Sequence, residues 1–198
     1  IRVKAEASLR QAFPDARIIH ELVLRQGGVR IDLAAVTPIR LICVEIKSER
    51  YVLTRLPEQV AALKKVCDTW RVCCADKHIS KVRNIAGWIA SVSETEIDAR
   101  GYRMMSMERD ALKGGCNAPA RLDMRWADEL RWIAGTKGAR WHCIRSASDA
   151  MTGGQVRRAV CAALRASDVS LIPFAHSLLQ APLHNPLAPR IQFAIREL

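Results

Sequence analysis

The sequence predicts an α/β fold: a mixed sheet core flanked by helices, with a mostly helical, basic C-terminal extension. Three observations lead there. Between residues 16 and 47, three apolar runs are separated by short turn-forming stretches, the signature of an antiparallel meander. An amphipathic stretch then separates the third run from a fourth, which calls for a crossover and a parallel pairing. Past residue 111 helical spacing dominates.

The elements follow in order. Ile1, Ala5, Leu9 and Phe13 recur at helical steps, and Pro14 ends that pattern. Residues 16–24 (ARIIHELVL) read as a strand and RQGG as its turn. VRIDLAAV is the second strand, TPIR a turn, and LICVEIK the third strand. In TRLPEQVAALKKVCD, Leu56, Val60, Leu63 and Cys67 form one helical face, with Pro57 in the first turn, where a missing N–H costs little. TWRVCCA is the fourth strand. A helix is expected over ISKVRNIAGWIA, then weaker strands near ASVSETEI and YRMMSMER. Residues 1–111 form the core, 112–120 (rich in Gly, Pro and small residues) a linker, and 121–198 the basic helical region. Within that region MRWADELRWIAG and GGQVRRAVCAALRAS read as helices, and the tail from Leu171 is punctuated by proline.

The 198 residues are 49% hydrophobic, enough for an ordinary core. No uncharged apolar run reaches the roughly 18 residues that a membrane span needs. The N-terminal stretch reads as a helix rather than a signal peptide, although a chain that opens on Ile1 leaves a lost leader open. Formal charge is +11, with +5 up to residue 110 and +6 over the shorter remainder. Such an excess is the footprint of a nucleic-acid binder, with an acidic protein as the other candidate partner. Seven cysteines are scattered, without a CxxC, and Cys67, Cys73, Cys74 and His78 fit no common zinc spacing. Buried, reduced thiols in a cytoplasmic protein are the expectation.

Three charges interrupt the second and third strands. Glu45 and Lys47 share one face of their strand, with Val44 and Ile46 on the other, and antiparallel pairing brings Asp32 alongside them. Two carboxylates held close repel, which raises a pKa or recruits a cation. Oxygen ligands with room for water and phosphate suit magnesium, and the neighbouring lysine can orient a water. The bland alternative is a surface Glu45–Lys47 pair with Asp32 as a solvated acid.

Asp32, twelve residues, then Glu45-x-Lys47, set among HELVL, RIDLAAV, VEIKSE and RLPEQVAAL, resembles the PD-(D/E)XK nuclease superfamily, closest to a small bacterial and phage branch. The resemblance covers about residues 1–110, and more faintly RWADEL and VRRAVCAALRA. It implies a restriction-endonuclease-like core and an Mg²⁺- (or Mn²⁺-) dependent nuclease. Asp32 and Glu45 would hold the metal and Lys47 would position the water. A further acid is implied: Glu21, in mid-strand among apolar residues, is favoured over Glu6 on the first helix. Gln59 sits one turn from Leu56 and Leu63, at the edge of the apolar stripe. Some superfamily members carry a tyrosine four residues after this glutamine, where Leu63 stands here.

Arg55, one turn before Gln59, is placed to touch DNA, and Arg157, Arg158 and Arg165 form a stripe able to line phosphates. Trp126 and Trp132, six residues apart, read as packing residues rather than base-stacking platforms. Ser146, Ser148 and Asp149 near His142 lack the surroundings of a nucleophile elbow, and no P-loop, Rossmann glycines or HExxH occurs. The expected partner is DNA, without a membrane, and a homodimer would suit double-strand cuts. The rival expectation is a non-catalytic DNA-binding protein on the same fold.

Overall fold

Side chains that alternate between two faces build the sheet from its first strands. The computed structural model describes residues 1–24, 28–86, 92–98, 101–108 and 117–166. Strands β1 (Arg17–Leu24), β2 (Val29–Val36) and β3 (Leu41–Lys47) form the antiparallel meander, with Ile19 opposite Ala34 and Leu33 opposite Val44. The β2–β3 turn closes on Thr37, whose Oγ1 accepts from the Arg40 amide at 2.8 Å. A short 3-10 turn, Leu53–Arg55, then leads into helix α2 (Leu56–Val66), with Pro57 in its first turn. Strand β4 (Thr69–Ala75) lies parallel to β3, pairing Ile42 with Thr69 and Lys47 with Cys74. Helix α1 (Arg2–Ala12) precedes the meander, and α3 (Ile79–Ala86) follows β4. Gly87 to Ala90 of the expected helix lie outside the described residues.

Two further strands complete six: β5 (Val92–Asp98) and β6 (Tyr102–Glu108), in the order β1-β2-β3-β4-β6-β5. The later strand, β6, is antiparallel to both β4 and β5. Gly101, just before β6, has φ +80°, a conformation that strains any residue with a Cβ, and a Cβ there would also meet Asp76 Oδ2 at 2.8 Å. All seven residues of β3 are buried, as a central strand covered on both faces requires. One face carries Leu33, Ala35, Ile42, Val44, Ile46, Cys73 and Met104, and Ala5 and Leu9 of α1 pack on it. Glu45 and Lys47 point to the opposite face, where α2 lies, and Gln59 of α2 reaches both.

The chain divides into two compact units, Ile1–Cys116 and Asn117–Leu198. The described residues of the second form helices α4 (Ala118–Leu122), α5 (Ala127–Ala134), α6 (Arg140–Ala150) and α7 (Gly153–Ala166). Helix α4 corrects the linker expected at 112–120. Asn117 caps it, its Oδ1 accepting from the Ala120 amide at 2.9 Å, and Pro119 is accommodated in the first turn. Residues 112–116 and the tail from Leu171 lie outside the described residues. Leu122, Leu130, Ile133, Cys143, Val156, Val160 and Leu164 are among this unit's buried apolar side chains. Among the described residues no helix is long and apolar enough to cross a membrane. The six described cysteines are buried and in no disulfide, and burial pushes the Cys73 thiol up to about 12.

Candidate functional site

The β2–β3 ladder stops at Leu33 and Val44, one step before Asp32 and Glu45 would face each other. At that point the Ile46 amide donates to the Asp32 carboxylate, Oδ2, at 2.8 Å. A side chain replaces a backbone carbonyl as acceptor, and the paired stretch of the two strands ends there. The other carboxylate oxygen, Oδ1, accepts from Arg2 Nη2 at 2.7 Å.

Beside it three polar side chains close a buried triangle. Lys47 Nζ donates to Glu45 Oε1 at 2.7 Å and to Gln59 Oε1 at 3.0 Å, and Gln59 Nε2 donates to Glu45 Oε1 at 2.6 Å. Glu45, Lys47 and Gln59 are 3%, 5% and 6% exposed, so this is not a surface pair. Glu45 Oε2 is buried with no hydrogen-bond partner. Burial pushes the Glu45 carboxyl above its ordinary range; Lys47 opposes that shift, and the charge of Asp32 adds to it. The exposed Tyr51 ring lies 5.7 Å from Lys47 Nζ, and buried His78 places Nε2 3.2 Å from the Ser48 carbonyl just past β3.

Asp32 and Glu45 are the residues that could hold a hard divalent cation. Asp32 and Glu45 lie just past the end of the β2–β3 pairing, and Glu45 Oε2 is a buried carboxylate oxygen without a hydrogen-bond partner, the kind of atom a cation could satisfy. Among the described residues no three His, Cys, Asp or Glu side chains form a metal group. An ion at Asp32 and Glu45 would therefore complete its shell from water and phosphate, as magnesium commonly does.

Glu21 sits in mid-strand with φ +55°, the only described non-glycine residue with positive φ. His20 and Leu22 pair normally with Leu33 and Ile31, so Glu21 stands opposite Asp32 in register. Its carboxylate is held by two arginines: Arg2 Nη2 at 2.7 Å and Arg30 Nε at 2.8 Å. Glu21 is thus linked to Asp32 through Arg2, a residue that no sequence pattern singles out because the contact spans 30 positions. Glu6 instead pairs with Arg10 at 2.7 Å and His20 at 3.2 Å.

Arg55 is exposed at the N-cap of α2. Arg157, Arg158 and Arg165 on α7 are each half-buried, with the Nε atoms of the first two buried, so they flank the helix's apolar stripe rather than form a freely wetted face. Trp126 departs from its expected packing role. It is 70% exposed because it precedes the first turn of α5, where its amide donates to Glu129 Oε2 at 2.9 Å. Trp132 is half-buried. Ser148, by contrast, merely donates its hydroxyl to the Ile144 carbonyl within α6.

Replacing Gln59 with leucine is expected to destabilise the protein by about 1–3 kcal/mol, because it removes an acceptor from Lys47 and a donor from Glu45 in a dry site. Urea unfolding of the two proteins measures it, and an unchanged midpoint would remove Gln59 from the triangle.

Residues 6–170 match the model of a family described as Bacteriophage P4 protein cII. That description names a phage protein and no reaction. No curated protein and no solved structure matches the chain.

Proposed function

The chain belongs to the bacteriophage P4 protein cII family, and we propose that this member is a metal-dependent DNA endonuclease with a restriction-endonuclease-like core. The observation that carries the reading is the buried Glu45–Lys47–Gln59 triangle at the point where β2 and β3 stop pairing, with Asp32 at its side. A buried charged cluster on strand ends needs a reason beyond stability, because ion pairs of this kind seldom stabilise a fold.

Mg²⁺ or Mn²⁺ held by Asp32 and Glu45, with Glu21 as the outlying acid, would polarise the phosphate and acidify a bound water. The chain's own groups do the rest. Lys47 has three N–H donors, of which Glu45 and Gln59 take two, leaving the third for the attacking water or a phosphate oxygen. Gln59 fixes the ammonium position, and burial of the triangle strengthens each of these interactions. Water attacks phosphorus in line with the leaving oxygen, the P–O bond breaks, the water's proton passes to solvent, and the leaving oxygen takes a proton from solvent. Arg55 offers an exposed charge for the DNA backbone, and Arg157, Arg158 and Arg165 add basic charge in the second unit.

One observation favours a rival reading, a DNA-binding protein without catalysis: Arg2 and Lys47 already neutralise both acids. Incubating supercoiled plasmid with Mg²⁺ separates the two. Nicking or linearisation that disappears with EDTA and in Lys47→Ala is the expected result. Absence of cleavage on plasmid, single-stranded and branched DNA, with tight salt-sensitive binding retained, would establish the rival.

A further inference from the structure

Arg2 contacts two acids of the site, Asp32 and Glu21. Its Nη2 lies 2.7 Å from Asp32 Oδ1 and 2.7 Å from Glu21 Oε1, and its Nη1 donates to the Asp32 carbonyl at 3.3 Å. The backbone supports the arrangement. Glu21 takes a left-handed conformation in the middle of a strand, an unfavourable choice for a residue with a Cβ, and it stands opposite Asp32 in register. Both oxygens of Glu21 and one of Asp32 are held by guanidinium groups.

We propose that Arg2 is the resident counter-cation of this site, the group that a divalent ion at Asp32 and Glu45 displaces from the Asp32 carboxylate. The inference rests on the metal reading given above. The Arg2 side chain is 40% exposed, so its two ion pairs are weak enough to be exchanged. A doubly charged ion with oxygen ligands has the stronger attraction for the Asp32 carboxylate that Arg2 now holds. The arginine keeps the acids apart from each other's charge until the ion arrives, and its displacement frees a guanidinium within reach of a phosphate.

Titration calorimetry with Mn²⁺ alone, supported by the electron paramagnetic resonance of free Mn²⁺, tests this on the full chain. Arg2→Ala is expected to bind Mn²⁺ about 3- to 10-fold more tightly than the native protein, the effect of removing two exposed competing ion pairs. Arg2→Lys keeps the charge and is expected to bind like the native protein, which separates charge from helix structure. Arg2→Gln, which keeps hydrogen-bonding reach without charge, serves if the alanine variant fails to fold. Equal or weaker binding in Arg2→Ala and Arg2→Gln, with native binding intact, overturns the inference and leaves the metal site standing. No binding in any of the proteins overturns both.

Discussion

Lys47→Ala is expected to lose about 3–5 kcal/mol of stability at pH 8, the usual cost of stranding one member of a buried ion pair. It is expected to recover much of that at pH 5. Burial already holds the Glu45 carboxyl above its ordinary range, and Lys47 is the main group opposing the shift. Without the lysine the carboxyl rises further. A carboxyl raised in the folded state binds its proton more tightly there than in the unfolded chain. Its stabilising contribution is therefore full below the unfolded pKa and is lost as pH rises through the folded one. Acid should rescue the variant, where an ordinary salt-bridged carboxylate would be harmed by it. Urea midpoints at the two pH values give the answer. An equal loss at both would assign the deficit to the missing lysine stem rather than to a stranded charge.

Asp32→Asn should act on chemistry and spare the fold. The asparagine still offers an oxygen to the Ile46 amide, so the strand ends keep their geometry, and only the half-exposed pairing with Arg2 is lost. A stability change of no more than about 1 kcal/mol is expected. Cleavage of plasmid should fall by at least about 10²- to 10³-fold, the scale seen when a group stabilising developing charge is removed. Cleavage at the native rate, with Mn²⁺ binding retained, would place the metal elsewhere.

Much of the first unit could be read from periodicity. The meander, the crossover and the parallel β3–β4 pair follow from apolar spacing alone, because those strands and α2 bury one face or both. Gln59 was also legible, since a polar residue at the margin of a buried stripe must meet whatever polar group the sheet offers. The position of β6 between β4 and β5 was not, because strand order within a sheet leaves no local pattern. Helix α4 was hidden by Pro119, which signals a break unless it occupies the first turn. Helix α6 was missed because it buries only Cys143 and Ala147, too thin a stripe to register as a period. Arg2 and the left-handed Glu21 were equally out of reach, one a contact over 30 positions and the other a backbone angle.

Among the described residues, strand β1 is an edge of the six-stranded sheet. An edge presents a row of unpaired amides and carbonyls, along which a strand from another molecule can add. The reversal of φ at Glu21 breaks that row near its middle, so no continuous ladder can run along β1. A charged side chain at the break, held by Arg2 and Arg30, makes the approach less favourable still. The kink that turns a carboxylate toward its arginine thereby makes edge-to-edge pairing of copies along β1 less favourable.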